Sequence, residues 1–442
     1  MKGKPSAWHM SKIIRSLSDR MKDKNLLYFN LKCQPVHKQS FMEDFKATRI
    51  ICEESSRISA KVIDEFMIYY AASIDKTELR MSRDFAVYKH VIKEFKEEWT
   101  NRLKAQYLAH KVFKIDGLIN KILNHVELKR LSRVELDFLE QQAKLPWKFS
   151  FSVIIDNPEK DFYIMRDTFS GDQYTLFSPG ITDLMKSQHT TLWFNLIGYN
   201  GACWQTFGPI GAYKSFELDD IFFFATELRS HIETDDELLE DIENNPVPYM
   251  MLLAGANYPQ TFHENDQIVQ VYAEYDVETV NTQEFQKDFK VEYCQEIYRI
   301  MLKAWGDHPH FAQAYYNESE KTVLLSASTD RGFQTLVSKI NQYGFTFSDE
   351  PFIRVNMSML VTSKQILKKK IELNEYDHLF QEETSPADQE QIDKLNAFMG
   401  LVLPDINAGR QPDIEIMAHA AGIDVQTARD LMKNITNKFG KS

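Results

Sequence analysis

Four cysteines, Cys33, Cys52, Cys203 and Cys294, are all that 442 residues contain, and no two form a Cys-x-x-Cys pair. That spacing excludes a zinc ribbon and a thioredoxin-type redox motif. It reads as four free thiols in a reducing compartment. No apolar run reaches the length of about eighteen residues that a membrane-crossing helix needs. The opening Met1-Lys2-Gly3-Lys4-Pro5 leads into a charged helical stretch without the apolar centre of a secretion signal. A cytoplasmic protein without a membrane span is therefore expected. Neither a Gly-x-Ser-x-Gly elbow nor a Gly-x-x-x-x-Gly-Lys phosphate loop occurs. Internal repeats of fixed period and low-complexity tracts are missing too. Positive charge is in short supply, with 52 Lys and Arg against 64 Asp and Glu, a net charge of -12. This balance argues against a general binder of nucleic acid or anionic membrane, but leaves room for one small DNA-reading module.

What is present is ordinary globular composition, 43% apolar and 26% charged, in a chain long enough for several cores. The most patterned stretch is Ile268 to Asn356. Ile268 to Asp276 alternates, with Val269, Val271, Ala273 and Tyr275 on one face. Asn281 and Glu284 resemble a helix start, and Val291, Cys294, Ile297, Met301 and Trp305 recur at helical spacing before Gly306. Phe311 to Asn317 and Thr322 to Ser328 read as strands around a polar turn. Asp330 opens a helix with Phe333, Leu336, Val337 and Ile340 on its apolar face, and Phe352 to Val355 supplies a last strand. Strand, helix, strand, strand, helix, strand is the order of a ferredoxin-like α/β sandwich. That fold hosts many unrelated functions.

The remaining chain divides around it. Residues 1–40 read as a partly ordered arm. Residues 41–145 read as a helical domain, with Val87, Val91, Phe95 and Trp99 at clean helical spacing and Ser132 with Glu135 as a capping box. Pro146-Trp147 marks a change to short alternating runs, Phe149 to Asp156, Phe162 to Arg166, Tyr174 to Phe177, Thr190 to Gly198, Cys203 to Phe207 and Phe216 to Ala225. Asn200-Gly201 is the strongest hairpin signal. These runs predict a small antiparallel β-barrel over 146–230. Residues 231–267 read as an acidic linker in which Glu233 to Asn245 is a helix or linker and Tyr249 to Leu253 is buried on the sheet, and the sandwich with a following helix from Met357 covers 268–373. Ser385-Pro386-Ala387-Asp388 then caps a helix that opens a C-terminal helical tail, 385–442. The fold class expected is multidomain α+β.

Each candidate site has an ordinary structural reading beside it. Asp307, His308 and His310 are residue types that bind zinc, but Pro309 separates the histidines and no further ligand is placed, so a solvated loop is preferred. Asp161, Asp167, Asp219 and Asp220 cluster in the barrel segment. Turns and strand ends use Asp for backbone hydrogen bonds more often than catalysis does. RNA binding by the sandwich would need stacking aromatics, and Thr322 to Ser328 has none.

Two resemblances extend this reading. In the tail, Met417, Ala418, Ala421, Gly422, Ile423, Ala428 and Leu431 sit where two crossing helices need small, turn-forming and apolar residues. Residues 414–435 therefore resemble a helix-turn-helix of bacterial regulators. The resemblance implies that the second helix would present Gln426, Arg429, Lys433 and Asn434 to duplex DNA. Asp424 and Asp430 lie beside them and would repel phosphate. Separately, Leu131-Ser132-Arg133-Val134-Glu135-Leu136-Asp137-Phe138-Leu139, Pro146-Trp147-Lys148-Phe149-Ser150-Phe151 and Arg166-Asp167-Thr168-Phe169-Ser170-Gly171-Asp172 resemble runs in uncharacterised bacterial proteins, some with a C-terminal SEC-C motif. That cysteine motif is missing here, so no metal site carries over. The preferred reading is a non-enzymatic protein acting through protein contacts, with no cofactor, metal, RNA or membrane. A DNA-binding regulator is the alternative, and an enzyme with a site between barrel and sandwich is the third. Neither the oligomeric state nor the partner's identity can be read from the residues.

Overall fold

The computed structural model describes residues 44–186, 190–263, 265–278, 280, 282–303, 311–371, 373–380, 386–407 and 411–439. The expected N-terminal arm, Cys33, and the Asp307, His308 and His310 loop lie outside the described residues. The chain groups into two units, Met1–Asn374 and Glu375–Ser442.

The first unit begins with a helical layer. Helix α1, Phe45–Ser59, is capped by the Asp44 carboxylate, which accepts from the Lys46 and Ala47 amides at 3.1 and 3.2 Å. It runs on through a π-helical turn, Ala60–Met67. Helices α2, Thr77–Val87, and α3, Glu97–Phe113, follow. Helix α4, Arg133–Gln142, starts at the expected capping box of Ser132 and Glu135. Its first turn is tied to α1 by Lys61, whose ammonium meets Glu135 at 2.5 Å.

A closed five-stranded barrel comes next. Its strands are β1 (Lys148–Glu159), β2 (Phe162–Asp167), β3 (Gln173–Phe177), β4 (Leu192–Tyr199) and β5 (Trp204–Tyr213), in the order β1-β2-β3-β5-β4. Every pairing is antiparallel except β3 with β5, which is parallel. A short helix α5, Pro179–Met185, joins β3 to β4 and inserts Ile181 among the interior residues Tyr163, Met165, Leu176, Trp193 and Ile197. The outward face of β1 is aromatic as well. Phe151 stacks on Phe194 of β4 at 4.3 Å, and Phe149 stacks on it at 5.0 Å. The barrel is thus buried on two sides, which is why its strands lack a uniformly polar face.

The sixth expected strand is a helix. Phe216 to Ala225 lies mostly in α6, Leu218–Leu228. The Glu217 amide donates to Asp220 Oδ2 at 2.8 Å, closing a capping box. Ile221, Phe222, Phe223, Phe224 and Ala225 are all buried. A continuous apolar run has no period, so the local cap decided the outcome. In the acidic stretch, the helical alternative holds: helix α7 spans Asp235–Asn244, followed by a short helical turn, Pro246–Met250. They are packed: Leu238, Ile242, Tyr249 and Met250 are buried.

The sheet that follows has six strands: β6 (Val269–Asp276), β7 (Phe289–Cys294), β8 (Ile297–Leu302), β9 (Gln313–Asn317), β10 (Thr322–Ala327) and β11 (Ile353–Asn356). Their order is β11-β6-β10-β9-β8-β7, antiparallel throughout. Four expected strands stand where predicted. The expected helix from Glu284 to Trp305 does not: residues 289–302 form a hairpin. Gln295 and Glu296, both at positive φ, make its turn. The sequence fits both periods, and Phe289, Val291, Ile300 and Leu302 take the two-residue one. The sandwich with two full helices is therefore corrected to one helix, α8 (Asp330–Asn341), with only the short turn Thr282–Phe285 on the same core. Helix α9, Met357–Leu367, closes this unit, shorter than the predicted run to Leu373.

Barrel and sheet are joined by a buried carboxyl. Asp220 Oδ1 accepts from the Asn356 amide at 2.7 Å, and Oδ2 accepts from the Asn356 side chain at 2.6 Å. Beside it, Arg354 bridges Glu217 and Asp330, each at 2.9 Å. Burial raises the Asp220 pKa to about 7. In the unfolded chain an Asp titrates near about 3.9. A raised folded pKa stabilises below the unfolded value, and the contribution is lost as pH climbs through the folded one. Asp220→Asn removes that titration and misplaces one donor. Its stability deficit against the native chain should therefore shrink from pH 4 to pH 8 (roughly the window those two values define). Urea melts of both proteins across that window check this; a deficit that stays flat or grows contradicts it.

Candidate functional site

Where β1 leaves the helical layer, Trp147 fixes the geometry. Its indole stacks on Phe113 of α3 at 4.4 Å and on Phe207 of β5 at 3.7 Å. Its Nε1 donates to Gln142 Oε1 of α4 at 2.6 Å, and its backbone amide donates to Phe113 O at 3.0 Å. On β4, Gly198 is obligatory for this contact, since a Cβ there would stand 2.5 Å from Trp147 Nε1.

A cleft of about 960 Å³ opens beside this stack. Its floor is Trp147 and Phe149, its barrel side Lys148, Asp167, Tyr199 and Trp204, and its far wall Lys114 to Asp116 with Leu239, Glu240, Glu243 and Asn244 of α7. Trp204 begins β5 and Tyr199 ends β4, with ring centroids 5.7 Å apart. The Lys148 ammonium lies 5.7 Å from the Trp204 ring. Apolar groups that are exposed or half-buried, Ile115, Leu145, Leu239, Tyr199 and Trp204, make the lip.

The polar groups of the wall are held by protein partners. Glu243 Oε1 accepts from the Phe149 amide at 2.8 Å, and Oε2 meets His110 Nε2 at 2.7 Å. His110 is fully buried, and burial lowers its pKa, so the ring is neutral at pH 7 and donates through Nε2. Lys111 and Lys114 donate to the last carbonyls of α7, at Asn244 and Glu243, each at 3.0 Å. Cations at a helix C-terminus are favourable, and these two dock α7 onto α3. Burial lowers the Lys111 pKa to about 8. Asp167 accepts from the Phe169 and Ser170 amides, each at 3.0 Å, and from Ser150 Oγ at 2.7 Å. On the rim, Asp116 and Glu240 are exposed.

The acids singled out by sequence do not converge. Asp161 pairs with Arg49 at 2.9 Å, Asp167 shapes a turn at the cleft, and Asp220 sits in the barrel–sheet junction beside Asp219. Among the described residues no group of three or more His, Cys, Asp or Glu is placed to hold a metal. Among them, too, no helix is long and apolar enough to cross a membrane. The cleft itself escaped sequence reading, because its walls come from five separate segments. Only the strength of the Asn200-Gly201 turn between Tyr199 and Trp204 signalled its position.

The second unit holds the tail. Its helices are α10 (Pro386–Asn407), α11 (Ile414–Ala421) and α12 (Val425–Phe439). Phe398, Val402, Ala418, Ala421, Ala428 and Met432 form their common core. Gly422 ends α11 at φ +70, and the Ile423 amide reaches back to Ala418 O at 3.0 Å. Two of the side chains expected to read DNA meet acids. Arg429 is paired with Glu415, and Gln426 Nε2 donates to Asp430 Oδ1 at 3.2 Å. Asp424 caps α12, accepting from the Thr427 amide at 2.9 Å. Lys433 is exposed on α12, and Asn434 lies on the same helix with its side chain outside the described residues.

The chain matches no protein-family model and no curated protein.

Two substitutions probe these constructions. Gly198→Ala should force the Trp147 stack apart and cost about 1–3 kcal/mol, read from denaturant midpoints. In the tail, Ala418→Leu should overpack the crossing by a similar ~1–3 kcal/mol. Gly422→Val places a β-branched residue at positive φ and should destabilise the tail likewise, although its Cβ would meet only the flexible Lys394 side chain, at 3.8 Å. Loss of the tail's own unfolding transition, with the larger unit unaffected, is the expected calorimetric signature.

Proposed function

We propose that the protein is a non-enzymatic binding protein whose barrel cleft receives an apolar, positively charged peptide segment of a protein partner. The observation that carries this reading is the half-buried aromatic pair Tyr199 and Trp204 on the lip of an apolar cleft of about 960 Å³, beside the exposed Ile115. Aromatic rings at a lip offer large contact area at small entropic cost. The exposed rim charges are Asp116 and Glu240, while Lys114 is hydrogen-bonded to α7 and Lys148 lies over Trp204. Charge complementarity therefore favours a basic segment. Five-stranded Greek-key barrels also bind ligands beside the turn joining their last two strands, which supports the location by analogy and not the ligand.

The sheet is read as a ferredoxin-like arrangement in which a hairpin stands in for the first helix. The tail is read as a second protein-contact module, in a cytoplasmic protein of bacterial type. Titration calorimetry against apolar peptides carrying Lys or Arg should detect binding, with acidic counterparts silent. Trp204→Ala should weaken it about tenfold or more. Failure of every basic peptide to bind, or equal binding by the variant, refutes the cleft reading. For the tail, anisotropy titration with random duplex at about 50 mM salt should show no binding. Duplex affinity that Arg429→Ala abolishes would favour the regulator reading instead.

A further inference from the structure

Cys52 and Cys203, 151 positions apart in sequence, place their sulfurs 3.2 Å apart. Both are buried, Cys52 in α1 and Cys203 in the turn between β4 and β5. The contact is framed on every side. Asn200 Oδ1 accepts from the Ala202 and Cys203 amides at 2.8 and 2.9 Å, which fixes the turn, and Gly201 supplies its φ of +97. The Asn200 side-chain amide donates to Gln205 Oε1 at 2.8 Å and points at Cys52 Sγ at 3.3 Å. Gln205 Nε2 in turn donates to Cys52 O at 2.9 Å and to Ser56 Oγ at 3.0 Å. Helix and turn are thus locked in register around the two sulfurs.

We propose that Cys52 and Cys203 form a reversible oxidation site, closing to a disulfide when the protein meets a peroxide. The sulfurs need to approach by only about 1 Å to reach a bond of about 2.05 Å. Cys52 is the attacking thiolate. The hydrogen bond from Cys203, then the Asn200 amide and the Arg49 charge, lower its pKa against the opposing effect of burial. The thiolate attacks one peroxide oxygen, the O–O bond breaks, and hydroxide leaves with Cys52 as a sulfenic acid. Cys203 sulfur then attacks the Cys52 sulfur, water departs, and the S–S bond forms. Two thiols lose two electrons and two protons, and the peroxide becomes two waters. The bond would tie α1 to the turn that carries Tyr199 and Trp204. Any effect on ligand affinity rests on the cleft reading, but the bond itself does not.

The full-length protein, fully reduced and then exposed to hydrogen peroxide, is alkylated in denaturant and mapped by peptide mass spectrometry. The expected result is two free thiols, Cys33 and Cys294, and one crosslinked peptide joining Cys52 to Cys203. The oxidised protein should unfold at higher denaturant than the reduced one, and dithiothreitol should restore four thiols. In Cys203→Ser, which keeps a donor against the Cys52 sulfur, Cys52 should instead react with a sulfenic-acid probe and form no crosslink. Four labelled cysteines at peroxide levels that oxidise free glutathione, or pairing through Cys33 or Cys294, overturns the proposal. So does an oxidised form that unfolds at lower denaturant.

Discussion

The burial of one indole holds the first unit together. Trp147 contacts α3 through Phe113, α4 through Gln142, β5 through Phe207 and β4 through the missing side chain of Gly198. A ring that size contributes a few kcal/mol by leaving water, and truncating it in a packed site costs roughly 3–5 kcal/mol. Its larger effect is geometric. With both ring faces and the Nε1 engaged, the helical layer has one seat on the barrel. The start of β1 is fixed with it, and so is the cleft that opens beside Lys148 and Phe149.

That rigidity bears on chemistry. A catalytic site needs ionisable groups that converge on a reacting atom with their proton-transfer capacity unspent. The wall of the cleft has the opposite character. Glu243 is spent on the Phe149 amide and His110, and Asp167 on two amides and Ser150. The neutral His110 is sealed inside. What the cleft presents outward is apolar and aromatic surface with acids on the rim, which suits recognition of a shape and a charge.

Legibility followed period and locality. The strands β6, β9, β10 and β11 alternate cleanly and were visible, as were the Ser132 capping box and the Gly422 helix stop. Two elements were misread where the local signal was ambiguous. Phe216 to Ala225 is apolar without a period, and a cap formed by Glu217 and Asp220 made it helical. Residues 289–302 satisfy both periods, and their turn uses Gln295 and Glu296 at positive φ in place of an Asn-Gly pair. The cleft and the cysteine pair depend on contacts across a hundred residues or more, as with the 151 positions between Cys52 and Cys203. No local pattern encodes those. They follow only once barrel closure brings the β4–β5 turn to α1.

Charge gives the two units a shared character. In the larger unit, the cations at functional positions are committed internally: Arg49 to Asp161, Lys111 and Lys114 to the end of α7, Arg354 to Glu217 and Asp330. In the tail, Arg429 is committed to Glu415. The carboxylate pairs of Arg49, Arg354 and Arg429 offset a positive charge in the field a partner would meet, whereas Lys111 and Lys114 are held by neutral carbonyls and keep theirs when protonated. With a net charge of -12, what remains displayed is acidic. A polyanion at the tail would find Lys433 exposed but Arg429 paired, and would face Asp430 on α12 and Asp424 at its cap. A basic partner meets no such barrier, since the rim acids Asp116 and Glu240 are already exposed. The acids displayed at the cleft rim and along the tail are the physical basis of the proposed preference for a cationic protein segment over nucleic acid.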